Sequence, residues 1–555
     1  MRNHPAKFLA MKLMAWILFS ASLANSLAQE QEFTEQDRLR GSVTPEREWW
    51  DLQRYELDIE VFPEEKRLEG SNKIQFQVLK PAQRMQIDLQ EPMKITKVLF
   101  GEEELGFERN GNVYSIDFTE APTKDSTQTI EIQYEGTPVE SKRPPWSGGL
   151  TWQKDKNGKH FIATTCQGDG ASLWWPCKDH GYDEPDRGVG LTVTVPEDLV
   201  AVANGRLVGQ EDLEAESKRV FEWNVTKPIN NYCVNVNIGD YVNFSDTFEG
   251  EGGELDMQYW VLRDDKEIAQ KQFREAPRTI EAFEYWFGKY PFYEDSYKLV
   301  EVPYLGMEHQ SSVTYGNGFQ NGYRGTDLSG TGVGMLFDFI VVHESGHEWF
   351  GNNISMKDVA DMWIHESFTN YSENLFVEYH FSEREAQDYV IGCRKRVGND
   401  KPIIGVYNVN QSGSGDMYYK GGNMLHSMRH TIDDTKKWRE ILRGLNETFW
   451  HQTVTTEQVE SYISEQAGID FGLFFDQYLR GTKIPEFKYS IRDNKMIYRY
   501  ENVVKGYSYR IRVQLDGNQI WLTPKEEEQT LTSAVPIESV EVDRNFYVTA
   551  EQVTR

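Results

Sequence analysis

The chain has 555 residues, a formal net charge of −29 and a pI near 4.9, with 39% hydrophobic and 26% charged residues. That length suits two to four domains around a large core. So large an excess of acid repels phosphate backbones and anionic lipid, which sets aside a nucleic-acid binder or a membrane-surface protein.

At the N-terminus, Arg2, Lys7 and Lys12 precede an apolar run from Leu13 to Leu23, followed by Ser26-Leu27-Ala28. This is the layout of a signal peptide, so residues 1–28 are expected to be removed and the protein to be secreted or periplasmic. The run is shorter than the roughly 20 residues needed to span a bilayer. No later apolar run is long enough to do so. Only Cys166, Cys177, Cys233 and Cys393 are present, too few for a disulfide scaffold. Spacing does not decide whether Cys166 and Cys177 are bridged. Asn224, Asn243 and Asn353 open glycosylation sequons, which matter only in a host that uses them.

From about residue 50 to 245 the hydrophobic period is two. Tyr55, Leu57, Ile59 and Val61 alternate with polar residues, as do Ile74, Phe76 and Val78, and later Leu191, Val193 and Val195. This predicts an N-terminal antiparallel β-domain over 45–247. The segment "EGEGGE" (249–254) reads as a break. Ala276, Ile280, Phe283 and Phe287 then fall at helical spacing, and helical patterns run on to about 480, among them 332–350 and 361–380. Beyond Pro485 alternation returns. The expected order is therefore multidomain α+β: the β-domain, a mainly helical domain over 248–482, and a small β-sandwich-like domain over 484–555.

The chemistry concentrates in "VVHESGHEWFGN" (341–352). On a helix, residues four apart differ by about 40° and about 6 Å of rise. His343 and His347 therefore point the same way and suit one tetrahedral zinc ion at about 2.0–2.1 Å. Glu344 lies at a neighbouring azimuth, placed to take a proton from water. The bland alternative is a buried helix with satisfied histidines, but burying Glu344 there without a cation costs several kcal/mol. Zinc needs a third protein ligand. Eighteen residues beyond His347 comes Glu366, in "DMWIHESFTNYSEN", where Asp361 suggests an N-cap and Glu366 falls in the second turn. His365 is adjacent but faces about 100° away. Glu373, seven after Glu366, shares its face and suits a role in orienting a ligand.

These residues carry a resemblance. "HESGHEWFGN" (343–352) resembles the H-E-x-x-H-x-W-F-G-N of the gluzincin aminopeptidases, the family of aminopeptidase N and leukotriene hydrolase. "WIHESF" (363–368) resembles their W-L-N-E-G-F, "YLGMEHQ" (304–310) their G-x-M-E-N loop, and "YYKGGNMLH" (418–426) their Y-x-K-G segment. "TTCQGDGASLWWPCKD" (164–179) resembles the β-domain stretch that reaches their active site. The five stand in the family's order across about 45–555.

The resemblance implies one zinc ion held by His343, His347 and Glu366, with Glu344 as general base and Tyr418, rather than Tyr419, as oxyanion donor. It implies that Glu308, with Gly306 and Met307, binds the free amine of a peptide, and that Gln167 lines the first subsite. The implied thermolysin-like domain would make the protein a zinc aminopeptidase acting on peptides with a free N-terminus. Two other readings stay open: a thermolysin-type endopeptidase, which needs no acid at 308, and a zinc-retaining peptide-binding protein without catalysis. His309, His365 and Ser367 replace Asn, Asn and Gly of the family pattern. His309 beside Glu308 is expected to compete as a cation below about pH 6.5. The family's large helical C-terminal domain has no counterpart here, so the cleft is expected to be more open.

Overall fold

The computed structural model describes residues 32–554; the expected signal peptide lies outside them. Strands β1 (Trp50–Phe62) and β2 (Arg67–Val78) form the long hairpin at the centre of an eight-stranded sheet. Tyr55, Leu57, Ile59 and Val61 all point inward, as period-two alternation requires. β2 pairs antiparallel with β3 (Thr127–Gly136). The sheet is not purely antiparallel: β1 runs parallel to β4 (Val189–Pro196), with Tyr55 opposite Val189. Residue alternation is the same for either direction, so the sequence pattern could not report this.

The expected break at 248 is a correction. "EGEGGE" is the turn of a hairpin between β5 (Tyr241–Gly250) and β6 (Gly253–Leu262). That hairpin starts a second sheet, in the order β5, β6, β7 (Tyr297–Glu301), β9 (Val313–Tyr315), β8 (Gly306–Met307). The second region therefore opens at about 241, and the mainly helical domain contains a five-stranded sheet. Every residue of β7 is buried, so no alternation marked it. Helices α1 (Glu275–Phe287), α2 (Phe339–Gly346), α3 (Trp363–His380) and α4 (Tyr419–Ile432) complete this region. A four-stranded and a three-stranded sheet beyond residue 485 form the C-terminal β region.

Two hydrophobic cores form. The core of the N-terminal domain extends across to Val302, Tyr304 and Met307. Tyr304 donates its hydroxyl to the Thr164 carbonyl at 2.8 Å, so the 304–308 loop is fixed between the two domains. All four cysteines are free and buried. Among the described residues no helix is long and apolar enough to cross a membrane.

Candidate metal centre and active-site cleft

Asp338 starts α2, its carboxylate accepting from the amides of Ile340 and Val341. The helix is shorter than the expected 332–350. It ends at Gly346, with His347 as C-cap, because the chain turns there and the Phe350 carbonyl meets the His347 ring. His343 and His347 still share a face, their rings 5.1 Å apart. The expected N-cap at Asp361 is also corrected. Its carboxylate accepts from the hydroxyls of Tyr407 and Thr456 at 2.6 and 2.5 Å, and α3 begins at Trp363, placing Glu366 in its first turn.

The protons on both imidazoles are assigned by their partners. Nδ1 of His343 lies 2.7 Å from Glu373, and Nδ1 of His347 lies 3.0 Å from the Phe350 carbonyl. Both acceptors call for a proton on Nδ1, which leaves each Nε2 with a lone pair. The two Nε2 atoms lie 3.9 and 3.5 Å from Oε2 of Glu366, itself buried and without a hydrogen-bond partner. The edge of a tetrahedron with arms of about 2.0–2.1 Å is about 3.3–3.4 Å, which the separation from His347 matches and that from His343 exceeds by roughly half an ångström. The donor set also suits a cation electrostatically. Glu308, Glu344 and Glu366 are all buried around it. Burial works against charge on His347, but Glu366 and Glu308 outweigh it and lift the imidazole to about 10, and that positive charge in turn holds Glu366 low; a metal ion would take the place of the proton and leave the imidazole neutral. Two neutral imidazoles, one ionised carboxylate and an orphaned oxygen fit zinc.

The cleft beside this cluster has a volume of about 490 Å³ and is lined by Gln167, Gly306, Met307, Glu308, Glu344 and Tyr418 among others. Burial pushes Glu344 up to about 7, against the pull of His343. The hydroxyl of Tyr418 is pushed well above its usual range by burial and then by Glu366, Glu308 and Glu344, so it stays protonated. Its ring lies 6.1 Å from that of His343. Tyr418 comes this close because α4 packs tightly on α3: a Cβ on Gly421 would lie 1.9 Å from Oγ of Ser367. Gly306 is likewise forced, since a Cβ there would lie 2.6 Å from Ile340. Gln167 reaches in from the N-terminal domain and donates to Glu308 at 2.5 Å and to Glu366 at 3.0 Å.

The chain is similar to known proteins over this whole frame. The Peptidase family M1 domain matches residues 272–478, and the Peptidase M1 N-terminal domain matches 52–233. The chain belongs to peptidase family M1. A leucyl aminopeptidase of Saccharolobus solfataricus is 21% identical over 75% of this chain and 53% of its own length. The tricorn protease-interacting factor F2 of Thermoplasma acidophilum is 25% identical over 40% of this chain and 27% of its own. The chain thus spans between about a quarter and half of these relatives. An M1 zinc metallopeptidase from Deinococcus radiodurans has the same fold, with a TM-score of 0.66 at 19% identity, covering 80% of this chain and 98% of that one.

The positions that depart from the M1 motif pattern have distinct fates. Ser367 donates to the Met417 carbonyl at 2.6 Å, tying α3 to the segment before Tyr418. His365 is not among the metal-facing donors. Its Nε2 accepts from the Met356 amide at 2.9 Å, which puts the proton on Nδ1, 3.4 Å from the hydroxyl of Tyr232. Tyr232 in turn donates to Oε1 of Glu308 at 3.1 Å. Burial holds His365 down to about 3, so this relay is neutral. His309 corrects an expectation. It is fully buried, beside Thr314, and burial alone draws it down to about 3, so it is not a cation competing for Glu308.

Two residues about Glu308 escaped the sequence reading. Tyr232 sits in a short turn within a run of strands, where a tyrosine reads as core. Asn352 donates to the Glu308 carbonyl at 2.9 Å and so fixes the loop; the W-F-G-N match marked its position but not its partner.

Proposed function

We propose that this protein is a zinc aminopeptidase that removes the N-terminal residue from peptides. One observation carries the reading: a carboxylate anchored for an ammonium, Glu308, faces the same cleft as the convergent donors of His343, His347 and Glu366 and the base Glu344. Zinc held by those three residues supplies a Lewis acid that polarises a carbonyl and makes water more acidic.

The chain's own residues do the rest. Glu308 receives the substrate's α-ammonium. Burial pushes this carboxyl up, with His347 pulling against it and Glu366 adding to it, so an arriving cation relieves a crowded negative site. Gln167 and Tyr232 hold the carboxylate in one orientation while it does so. Met307 and Gly306 carry the loop that sets the distance from Glu308 to the scissile carbonyl. Glu344 takes the proton of the attacking water and passes it to the departing amine; its burial favours the protonated form and so helps it accept that proton. Tyr418 donates to the carbonyl oxygen as its negative charge grows, which is worth more than to the neutral ground state.

A thermolysin-type endopeptidase gives no role to Glu308 and its three hydrogen-bonded supports. A binding protein without catalysis gives none to Glu344 and Tyr418. The solved D. radiodurans relative is bound to a Tyr-Ser-Ala substrate, a peptide of the kind the proposal requires. Rates on a panel of aminoacyl-anilides, free and N-acetylated, with and without a chelator, test the proposal. Free substrates should be cleaved and acetylated ones spared, with activity lost on chelation and restored by zinc. Equal rates on both sets would overturn it.

A further inference from the structure

The protein is strongly acidic, yet the far end of its cleft is not. Two rows of rings lead away from His343. Phe339 stacks on His343 at 5.1 Å and Tyr323 follows at 5.3 Å. On the other wall Tyr418 is followed by Tyr419 at 6.5 Å. The second row ends at Arg396, the one Lys or Arg among the described residues that line this cleft. Its guanidinium carbon is 5.9 Å from the Tyr419 ring. Its Nε is spent on the Leu328 carbonyl at 2.9 Å, which fixes the plane of the group and leaves its two terminal nitrogens for a ligand. The exposed Trp146, on the opposing N-terminal domain, lines the same cleft. Arg324 and Arg143 lie over its ring at 5.8 and 6.0 Å. None of these three arginines has an ion-pair partner among the described residues, although acids outnumber bases 88 to 59 in the chain.

The phenol of Tyr323 joins this end to the chemistry. Burial raises it, Arg324 and Arg396 oppose, and Glu344 adds to it. The cleft therefore carries both the buried carboxylate of Glu308 and the guanidinium of Arg396.

Resting on the aminopeptidase reading, we propose that Arg396 is a carboxylate subsite that takes the downstream end of a short peptide whose amine is held at Glu308. Guanidinium suits the task because its planar fork meets a carboxylate through two parallel hydrogen bonds. The two ring rows from His343 correspond to roughly two to four extended residues at about 3.4 Å each. The preferred substrates are then short peptides with a free C-terminus. A longer peptide places its carboxylate beyond Arg396 and gains nothing from it.

The test is binding to the Glu344→Gln protein, measured by calorimetry with zinc present, so that no turnover intervenes. The probes are leucine followed by two, three or four glycines, each as free acid and as amide, and Leu-Gly-Gly-Glu amide to present a side-chain carboxylate instead. At one of these lengths the acid should bind about three- to tenfold tighter than the amide, the range for a partly exposed charged pair. The ratio should shrink as salt rises. Adding Arg396→Ala should bring it to about one, and Arg396→Lys should restore part of it. Equal binding of acids and amides at every length would overturn the subsite, as would a ratio that survives Arg396→Ala. Tight binding of the glutamyl amide alone would overturn the assignment to the peptide's terminus. A free-acid preference without release of leucine by the unmutated protein would sink the aminopeptidase reading and leave the subsite standing.

Discussion

Oε1 of Glu373 lies 2.7 Å from Nδ1 of His343, and the carboxylate is itself held by Tyr389 at 2.6 Å and Asn370 at 3.1 Å. An acceptor so fixed presents Nε2 of His343 to the metal position in one orientation and raises its basicity. Glu373→Gln should weaken zinc binding by roughly 10–100-fold. Competition against a chromophoric chelator measures this directly. An unchanged affinity would reduce Glu373 to packing between α3 and its neighbours.

Tyr418 and Tyr419 are adjacent, and the cleft touches both. The Tyr418 ring lies 6.1 Å from that of His343, and its hydroxyl, unlike that of Tyr419, is raised by Glu366, Glu308 and Glu344 together. Tyr418→Phe should lower kcat by about 10²–10³ with little change in KM. Tyr419→Phe should change kcat far less. Steady-state kinetics on a free aminoacyl-anilide decide it, and the opposite pattern would exchange the two roles.

The metal donors were legible because their geometry is local. His343, Glu344 and His347 lie within one stretch of helix, and Glu366 follows on the next helix of the domain. The partners of Glu308 were less so. Gln167 and Tyr232 arrive from the N-terminal domain, 141 and 76 residues away in sequence, and no local period encodes such a contact. The same holds for the sheet of the second region. Its fully buried strand Tyr297–Glu301 has no alternating face to announce it. His309 misled for the opposite reason. Adjacency to Glu308 suggested a charged neighbour, while successive residues on an extended segment point to opposite sides.

His309 carries a pH prediction. Its folded value is drawn to about 3, below the ordinary imidazole value near 6.5. Between those values the unfolded chain binds a proton that the folded protein does not. The stability tied to its neutral form is therefore complete above pH 6.5 and is lost as pH falls toward 3. Its share is about 1.4 kcal/mol per pH unit once below 6.5, or roughly 2 kcal/mol by pH 5. His309→Asn should remove that share of the slope. The variant's unfolding midpoint should drop less between pH 7 and pH 5 than the parent's. Equal drops in thermal melts at the two pH values would show that His309 is not buried as a neutral group.

Tyr232 separates a carboxylate that is merely present from one that is aimed. Its hydroxyl donates to Glu308 at 3.1 Å, and the proton on Nδ1 of His365 faces that hydroxyl because Nε2 accepts from the Met356 amide. Tyr232→Phe removes one donor from Glu308 and leaves that of Gln167 in place. A hydrogen bond to a charged acceptor is worth about 1.5–3 kcal/mol, part of which the ammonium itself makes up. kcat/KM on free aminoacyl-anilides should therefore fall about 5–50-fold, mainly through KM, with zinc content unchanged. Restoring the hydroxyl is not open to another side chain of that length, so the control is His365→Asn. That change removes the ring from the relay while Tyr232 keeps its bond to Glu308, and it should cost less than Tyr232→Phe. Were Tyr232→Phe to lower kcat with KM unaltered, the tyrosine would act on the reacting carbonyl rather than on the amine-binding carboxylate.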